Sequence, residues 1–337
     1  MRERVVLGLS GGVDSAVAAR LLMERGYEVY PLWLDVGTGA GRSDAQAVAE
    51  RLGLPFMARD ISGALEERVC RPFAAAYLSG RTPLPCAVCN PTVKFPALLT
   101  YADEVGARWV ATGHYARCEG GLLKKGRRAN DQSYMLSRLT RAQLQRVLFP
   151  LGEYEKAQVR ALAGEGALPV ADKPDSMEIC FIPDGDYAAW LDRRGATPPP
   201  GDFVSPDGRV LGRHRGIHHY TLGQRRGLGV SGLHRYFVSA IDPEHDRVVL
   251  SDGGDLFVPS ARCREVNWLA VGGLDGPLKC TVRLRHSRTE SPAVLTPGEG
   301  GTVTITAADR PFRAPTPGQL AVFYGGDTVL GSGWITE

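Results

Sequence analysis

Between Arg4 and Arg25 a short apolar run passes into a helical pattern through the octapeptide Gly8-Leu9-Ser10-Gly11-Gly12-Val13-Asp14-Ser15. Paired glycines allow left-handed backbone and close approach by a ligand. A helix start adds unpaired amide donors and the positive end of a dipole, which together suit phosphate. Ser10 and Ser15 contribute hydroxyls, and Asp14 either holds Mg2+ or caps the helix. No Gly-Lys-Ser/Thr follows, so the string is not a Walker A loop. A plain glycine turn with a serine cap is the competing reading, but it would not need the whole of Ser-Gly-Gly-Val-Asp-Ser.

The same strand-to-helix alternation repeats downstream. Tyr27 to Leu34 reads as a strand, Asp44 to Leu52 as a helix, and Leu54 to Ala58 as a strand. Gly63 to Leu78 and Lys94 to Val105 read as helices, followed by a strand at Arg108 to Thr112. Such alternation predicts an α/β domain with a parallel sheet and ligands at the carboxyl ends of its strands. Helical patterns continue at Arg141 to Val147, Glu153 to Ala163 and Asp186 to Arg193. After Thr197-Pro198-Pro199-Pro200-Gly201 the texture changes to short apolar runs broken by Gly, Pro and Asp, which predicts β-rich sandwich or barrel structure. We therefore expect an α/β domain over 1–195 and two small β-rich domains over 196–260 and 261–337.

Composition narrows the class. Apolar residues at 43% and charged residues at 23% exclude disorder and fibrous repeats. No apolar run approaches the roughly 18 residues of a membrane span. The chain opens Met1-Arg2-Glu3-Arg4 and enters a strand without a leader, so a cytoplasmic location with no membrane partner is expected. The net charge of +3 is uninformative, but its distribution is not: Arg193 to Arg235 holds eight arginines, four histidines and two acids.

Seven cysteines in a reducing compartment are not a disulfide framework. Cys86 and Cys89 form Cys-Ala-Val-Cys within Arg81 to Asn90, and Cys180 lies in Asp175-Ser176-Met177-Glu178-Ile179-Cys180-Phe181-Ile182-Pro183. Both stretches read as loops, where reactive groups usually sit. A thiolate is both nucleophile and metal ligand, and Cys-x-x-Cys alone fits zinc, redox and iron–sulfur roles. Cys70, Cys118, Cys263 and Cys280 read as small buried or indifferent thiols.

The octapeptide resembles the PP-loop of N-type ATP pyrophosphatases, which split ATP into AMP and pyrophosphate. Taken with the segments that follow, the chain resembles the tRNA-specific 2-thiouridylases from end to end. Those segments are Thr82 to Phe95, Ala111-Thr112-Gly113-His114-Tyr115, Asp131-Gln132-Ser133-Tyr134, Phe149-Pro150-Leu151-Gly152, Ile179-Cys180-Phe181-Ile182, and His219 to Gly229. The resemblance implies a PP-loop domain followed by two β-rich domains, the last a β-barrel. It also implies that ATP adenylates the 2-carbonyl of the wobble uridine of tRNA and that sulfur then replaces the oxygen. Carried over by position, Gly8 through Ser15 bind ATP phosphates with Mg2+, and Leu34 and Gly113 lie against adenosine. Cys89 is the nucleophile, Cys180 carries sulfur as a persulfide, and the two close into a disulfide after delivery. Leu84, Pro85, Cys86, Asn130, Asp131, Gln132, Arg285 and His286 contact tRNA, and a cysteine desulfurase or sulfur relay protein supplies the sulfur.

Two departures matter. Many relatives carry aspartate where this chain has Cys86, and the stretch Asp35 to Ser43 is short and glycine-rich. With Cys86 present, Cys86, Cys89 and Cys180 form a possible ligand set for a [4Fe–4S] cluster or a zinc ion. The persulfide relay needs only the last two and is preferred. The arginine-rich stretch, extended by Lys124, Lys125, Arg127 and Arg128, suits tRNA phosphates, and the wobble base must be unstacked for its 2-carbonyl to be reached. The histidines His214, His218, His219 and His234 are spaced too irregularly to favour a metal. The rival functions are a PP-loop small-molecule synthetase and a non-catalytic tRNA-binding or sulfur-relay scaffold.

Overall fold

The computed structural model describes residues 2–127, 129–175, 179–195, 197–232, 235–286 and 289–336 of the chain. Strand β1 (Arg4–Gly8) is buried at Val5, Val6 and Leu7, and helix α1 (Val13–Glu24) follows from the glycine loop. Strands β2 (Glu28–Asp35), β3 (Met57–Asp60) and β4 (Trp109–Thr112) come next, then a hairpin of β5 (Ala116–Glu119) and β6 (Leu122–Lys125), then the short β7 (Val147–Leu148). The first sheet runs β3-β2-β1-β4-β7 with every pairing parallel. Strand order reverses between β1 and its neighbours β2 and β4, and the crevice above such a point is where open α/β sheets bind ligands. Both faces are covered. Ala16, Val17, Val48, Val159 and Ala163 pack on one side, and Phe95, Leu98 and Ala102 on the other.

Local differences from the sequence reading have physical causes. The Cys86 segment is not a loop: Pro85–Cys89 is helical and runs through a π turn at Asn90–Lys94 into a helix at Phe95–Glu104. Proline in a first turn gives up an N–H that has no intrahelical partner anyway, so Pro85 starts this helix. The helix expected through Val147 ends at Leu144, and Val147 and Leu148 form the edge strand β7. Short apolar runs do not distinguish the two periodicities. The strand expected at Leu54 to Ala58 lies at Met57–Asp60.

The second sheet comprises β8 (Gly201–Val204), β9 (Val210–His214), β10 (Phe237–Asp242) and β11 (Arg247–Ser251), in the order β10-β11-β8-β9. It encloses Phe203, Ile217, Tyr220, Val238, Val248 and Leu250. The remaining strands are β12 (Phe257–Val258), β13 (Ser260–Trp268), β14 (Leu278–Arg283), β15 (Ser291–Pro297), β16 (Val303–Ala307), β17 (Phe312–Arg313), β18 (Leu320–Gly325) and β19 (Thr328–Ile335). Six of them close into a barrel, β13-β16-β15-β14-β18-β19, with β19 pairing back on β13. No helix among the described residues is long and apolar enough to cross a membrane.

One feature was not foreseen. β6 of the first domain pairs with β19, so the β5–β6 hairpin extends the barrel wall. Beneath that junction lies a buried charge network. Arg283 Nη1 donates to Asp131 Oδ2 at 2.6 Å and Nη2 to Glu290 Oε1 at 2.8 Å, while Lys125 Nζ donates to Glu290 Oε2 at 2.8 Å. The Arg283 and Asp131 side chains are only 7% and 2% exposed, and both the arginine and Lys125 sit over the Tyr324 ring.

Candidate active site

The cradle is built at the end of β1. Ser15 Oγ donates to the Gly12 carbonyl at 3.0 Å and accepts the Ser10 N–H at 3.1 Å, which bends the loop back on itself. Gly11 has φ +77°, and a Cβ there would stand 2.2 Å from the Gly41 carbonyl oxygen. No side chain caps α1, so Asp14 is not a cap. Its Oδ1 accepts the Tyr115 hydroxyl at 2.7 Å, and its two oxygens accept Lys156 Nζ at 2.7 and 2.8 Å. Lys156 also pairs with Asp175 at 2.9 Å, and Arg160 joins the same carboxylate at 2.5 Å. Burial of Asp175 works against ionisation, yet Lys156 and Arg160 hold it below the ordinary carboxylate range. Lys173 Nζ donates to the Gly11 carbonyl at 2.9 Å and pairs with Asp44.

These cations were missed in the sequence, because Lys156, Arg160 and Lys173 lie more than a hundred residues from the loop they face. The only signal was Lys173-Pro174-Asp175 standing just before the Cys180 stretch. Chemically, the ammonium groups are paired with carboxylates that a polyphosphate would replace. With Ser10, Ser15 and an uncapped helix start, this donor set fits the phosphates of ATP.

Gly113, at the end of β4, abuts the same helix start. A Cβ there would lie 2.8 Å from Ser15 N and 2.9 Å from the Asp14 carbonyl carbon, so the glycine is required by protein backbone. Leu34 is half-buried near the end of β2 and packs against two core clusters. His114 Nδ1 is 2.7 Å from Thr112 Oγ1, with the ring between Phe95 and Phe149. Its enclosure, with a smaller effect from Lys94, pushes its pKa down to about 3, so it is neutral in the cell.

Two of the three singled-out thiols share one short helix. Cys86 and Cys89 lie one turn apart on the Pro85–Cys89 helix, and Cys89 shares a core cluster with Cys70, Phe181 and Ile182. Cys180 is exposed on a turn. Burial pushes Cys89 up to about 11, with the Lys94 ammonium pulling the other way, and burial also raises Cys86. Ile179, Phe181 and Ile182, which flank Cys180, pack in the same cluster as Cys89, so two stretches separated by 91 positions (180 − 89) meet in the fold. Lys173 and Asp175, seven and five residues ahead of Cys180, tie that part of the chain to the glycine loop and the start of α1. All seven cysteines are free. Cys70, expected to be indifferent, belongs to this neighbourhood, and its burial pushes it up to about 12. Cys86, Cys89 and Cys180 do not bring three sulfurs within 4.8 Å of one another, so no tight tetrahedral set is preformed.

Comparison with known proteins bears on this arrangement. Domain profiles described as tRNA methyl transferase HUP domain, tRNA methyl transferase PRC-barrel domain and Aminomethyltransferase beta-barrel domain match residues 3–184, 189–252 and 259–335. A protein of Acidobacterium capsulatum named tRNA-specific 2-thiouridylase MnmA is 42% identical over 367 residues, covering 98% of each chain. One of Caldanaerobacter subterraneus subsp. tengcongensis, named tRNA-specific 2-thiouridylase MnmA 1, is 43% identical over 361 residues, covering 100% of this chain and 99% of its own. One of Carboxydothermus hydrogenoformans with the MnmA name is 40% identical over 359 residues, covering 100% and 98%. The chain belongs to the tRNA-specific 2-thiouridylase family.

The residues that this family resemblance assigns to tRNA differ in how free they are. In this 2-thiouridylase the Asn130 side-chain carbonyl accepts the Lys156 backbone N–H at 3.0 Å, in the amide orientation that satisfies both groups. Gln132 Oε1 accepts the Tyr115 N–H at 2.9 Å. Asp131 accepts the Gly126 and Ser133 N–H groups, the Ser133 hydroxyl and Arg283, so its carboxylate is fully engaged. Arg285 Nη2 donates to the Arg313 and Ala314 carbonyls, and exposed His286 lies 5.8 Å from the Tyr134 ring. Leu84 and Pro85 line a cavity of about 410 Å3, closed on the barrel side by Arg264, Glu265 and Trp334. Among the described residues, Asp192, His218 and His219 bring ligand atoms within 4.8 Å. The 3.0 Å contact from His218 Nε2 to Asp192 accounts for that group as a pair joining the Tyr187–Arg194 helix to the second sheet domain. Ser176, Met177, Glu178, Arg128 and His234 lie outside the described residues.

Proposed function

We propose that this chain uses ATP to replace the 2-oxygen of the wobble uridine of tRNA with sulfur, and that Cys180 and Cys89 carry out the transfer. The observation that carries this reading is the junction of the Cys180 stretch with the ATP cradle, through Lys173 to Gly11 and through Asp175, Lys156 and Asp14. A polyphosphate cradle alone would serve any PP-loop synthetase. A cradle tied to the segment that leads to Cys180 supports adenylation followed by sulfur transfer.

The steps follow from the residues. The helix start, Ser10, Ser15, Lys156 and Lys173 hold the phosphates and draw charge from the departing pyrophosphate. Asp14, once Lys156 turned to the phosphates, would be the residue to hold Mg2+, which would supply neutralisation of phosphate charge. Adenylation converts the uridine 2-oxygen into part of an AMP leaving group. The terminal sulfur of a Cys180 persulfide bonds to C2, and AMP departs with the oxygen. The Cys89 thiolate then attacks Cys180 Sγ, the bond from Sγ to the transferred sulfur breaks, 2-thiouridine leaves as the thiolate and the two cysteines close a disulfide, which an external dithiol reopens with two electrons. A cysteine desulfurase or sulfur relay protein recharges Cys180, and the reducing cytoplasm suits this cycle. Leu34 and Gly113 flank the adenosine in this reading, and the Leu84-Pro85-Cys86 turn, Asn130, Gln132, Arg285 and His286 face the tRNA.

A second reading keeps the substrate and changes the carrier, because Cys86 stands one turn from Cys89, and Phe181, next to Cys180, packs with Cys89. In that reading the three thiolates would hold a [4Fe–4S] cluster whose open iron supplies a site for hydrosulfide. Incubation with ATP, a persulfide donor and unmodified tRNA should yield 2-thiouridine at the wobble position, read by nucleoside mass spectrometry, and Cys180→Ser should abolish it while sparing ATP binding. Absence of the product under both aerobic and anaerobic conditions refutes the thiolation. Iron near ~4 per chain after anaerobic purification, lost in Cys86→Ala, establishes the second carrier.

A further inference from the structure

The eight arginines between Arg193 and Arg235 fall into different sets in the folded chain. Arg193, Arg194 and Arg213 are neutralised by Asp184, Glu66 and Asp202. The side chains of Arg225, Arg226 and Arg235 have no ion pair or hydrogen-bond partner among the described residues. No acid occurs between Asp207 and Asp242 to provide one locally. All three are exposed, so their guanidinium groups are free to take an anion from outside.

The site is shaped. A cavity of about 430 Å3 is lined by Arg225, Gly227, Gly229, Ser231, Arg235 and Tyr236, among others. Gly227 and Gly229 have φ +75° and +66°, a backbone that side chains resist and that allows close approach to a ligand. The base of the loop is held in place. Gln224 N donates to the Thr221 carbonyl at 3.0 Å, Gln224 Oε1 accepts the Thr221 N–H at 3.0 Å, and Val238 N–H returns to the Gln224 carbonyl at 2.9 Å. Leu228 is buried in the domain core, and Gly232 fits against the Tyr236 ring, where a Cβ would stand 2.7 Å from it. Residues just outside the loop meet cationic groups of the barrel. A Cβ at Gly223 would lie 3.9 Å from Arg285 Nη2, and Arg313 sits over the Phe237 ring at 5.6 Å.

We propose that this loop is a phosphodiester-binding site for RNA, with Arg225 and Arg235 gripping one backbone phosphate of the tRNA and the Tyr236 and Ser231 hydroxyls completing its hydrogen bonds. The inference rests on the tRNA reading above and adds to it a defined pocket in place of a diffuse basic face. Arginine suits the role because its fork donates two parallel hydrogen bonds and keeps its charge.

The test is binding of unmodified tRNA transcript to the full chain by fluorescence anisotropy over a salt series. Arg225→Ala with Arg235→Ala should weaken binding about tenfold or more and lower the slope of log affinity against log salt by roughly 1, the value for one phosphate. Arg225→Lys with Arg235→Lys should restore the slope but only part of the affinity, and this pair decides the matter if the alanine variant misfolds. Tyr236→Phe should weaken binding a few-fold without changing the slope. Arg213→Ala, whose guanidinium already has Asp202, should stay within about twofold. An alanine pair with wild-type affinity and slope, or an Arg213→Ala loss as large as that of the pair, overturns the pocket and leaves the thiolation reading intact. A wild-type chain that fails to bind tRNA refutes both.

Discussion

Replacing Asp131 with alanine asks whether that residue belongs to the RNA surface or to the frame beneath it. Its carboxylate accepts four hydrogen bonds, from Gly126 N at 2.9 Å, Ser133 N at 3.1 Å, Ser133 Oγ at 2.9 Å and Arg283 Nη1 at 2.6 Å. With the two side chains 2% and 7% exposed, water cannot take over the lost contacts. Removing one member of a buried pair costs about 3–5 kcal/mol, because the partner remains charged and enclosed. Glu290 still faces Arg283, so the lower end, ~3 kcal/mol, is expected here, equivalent to a fall of roughly 6–12 °C in the unfolding midpoint for a unit of this size. Arg283→Met should cost a similar amount. The double variant should cost clearly less than the sum, since the second change removes the charge that the first left stranded. Differential scanning calorimetry of the RNA-free chain makes the measurement. An unchanged midpoint in Asp131→Ala, together with a loss of tRNA affinity, would refute the framework role and return the residue to the RNA surface.

Other expectations test the cradle and the thiols. Lys156→Met should weaken ATP binding about tenfold or more, the scale of a charge-assisted hydrogen bond, as read by isothermal titration; unchanged ATP affinity would remove Lys156 from the phosphate site. Gly113→Ala forces a methyl group against the backbone of Asp14 and Ser15, so it should destabilise the chain by ~1–3 kcal/mol and weaken ATP binding, and retention of both would show that the helix start yields freely. Because Cys89 is raised to about 11, its reactive thiolate should increase with pH, so single-turnover sulfur release should climb about tenfold per pH unit from neutrality through ~pH 9. His114, held at about 3, should add no inflection near neutrality. A plateau beginning below ~pH 8 would mean that a different group, or a substrate-bound Cys89 with a much lower pKa, controls the step.

The parallel domain was legible because β1 and α1 have clean, opposite periodicities on either side of the glycine loop. Cys89 and Cys180 stand in distinctive local strings, which is why the sequence singles them out among seven cysteines. The Pro85–Cys89 helix was misread because proline and polar neighbours signal a loop unless the proline falls in the first turn. Cys70 looked inert because its significance lies in Phe181 and Cys89, which adjoin it only after folding. Asp131 carried the strings of an RNA contact, and nothing local announced Arg283, 152 positions away.

Chain order alone determined where the backbone turns sharply enough to receive phosphate, which elements alternate around it, and which residue types are chemically able to carry sulfur. Those properties depend on neighbours within a few positions. Tertiary structure decided which cations face the cradle, which arginines are already neutralised, and that a hairpin of the first domain extends the wall of the last. These are long-range electrostatic and packing choices. A charge is spent or available according to what lies within a few ångströms, and that distance is set by the whole fold.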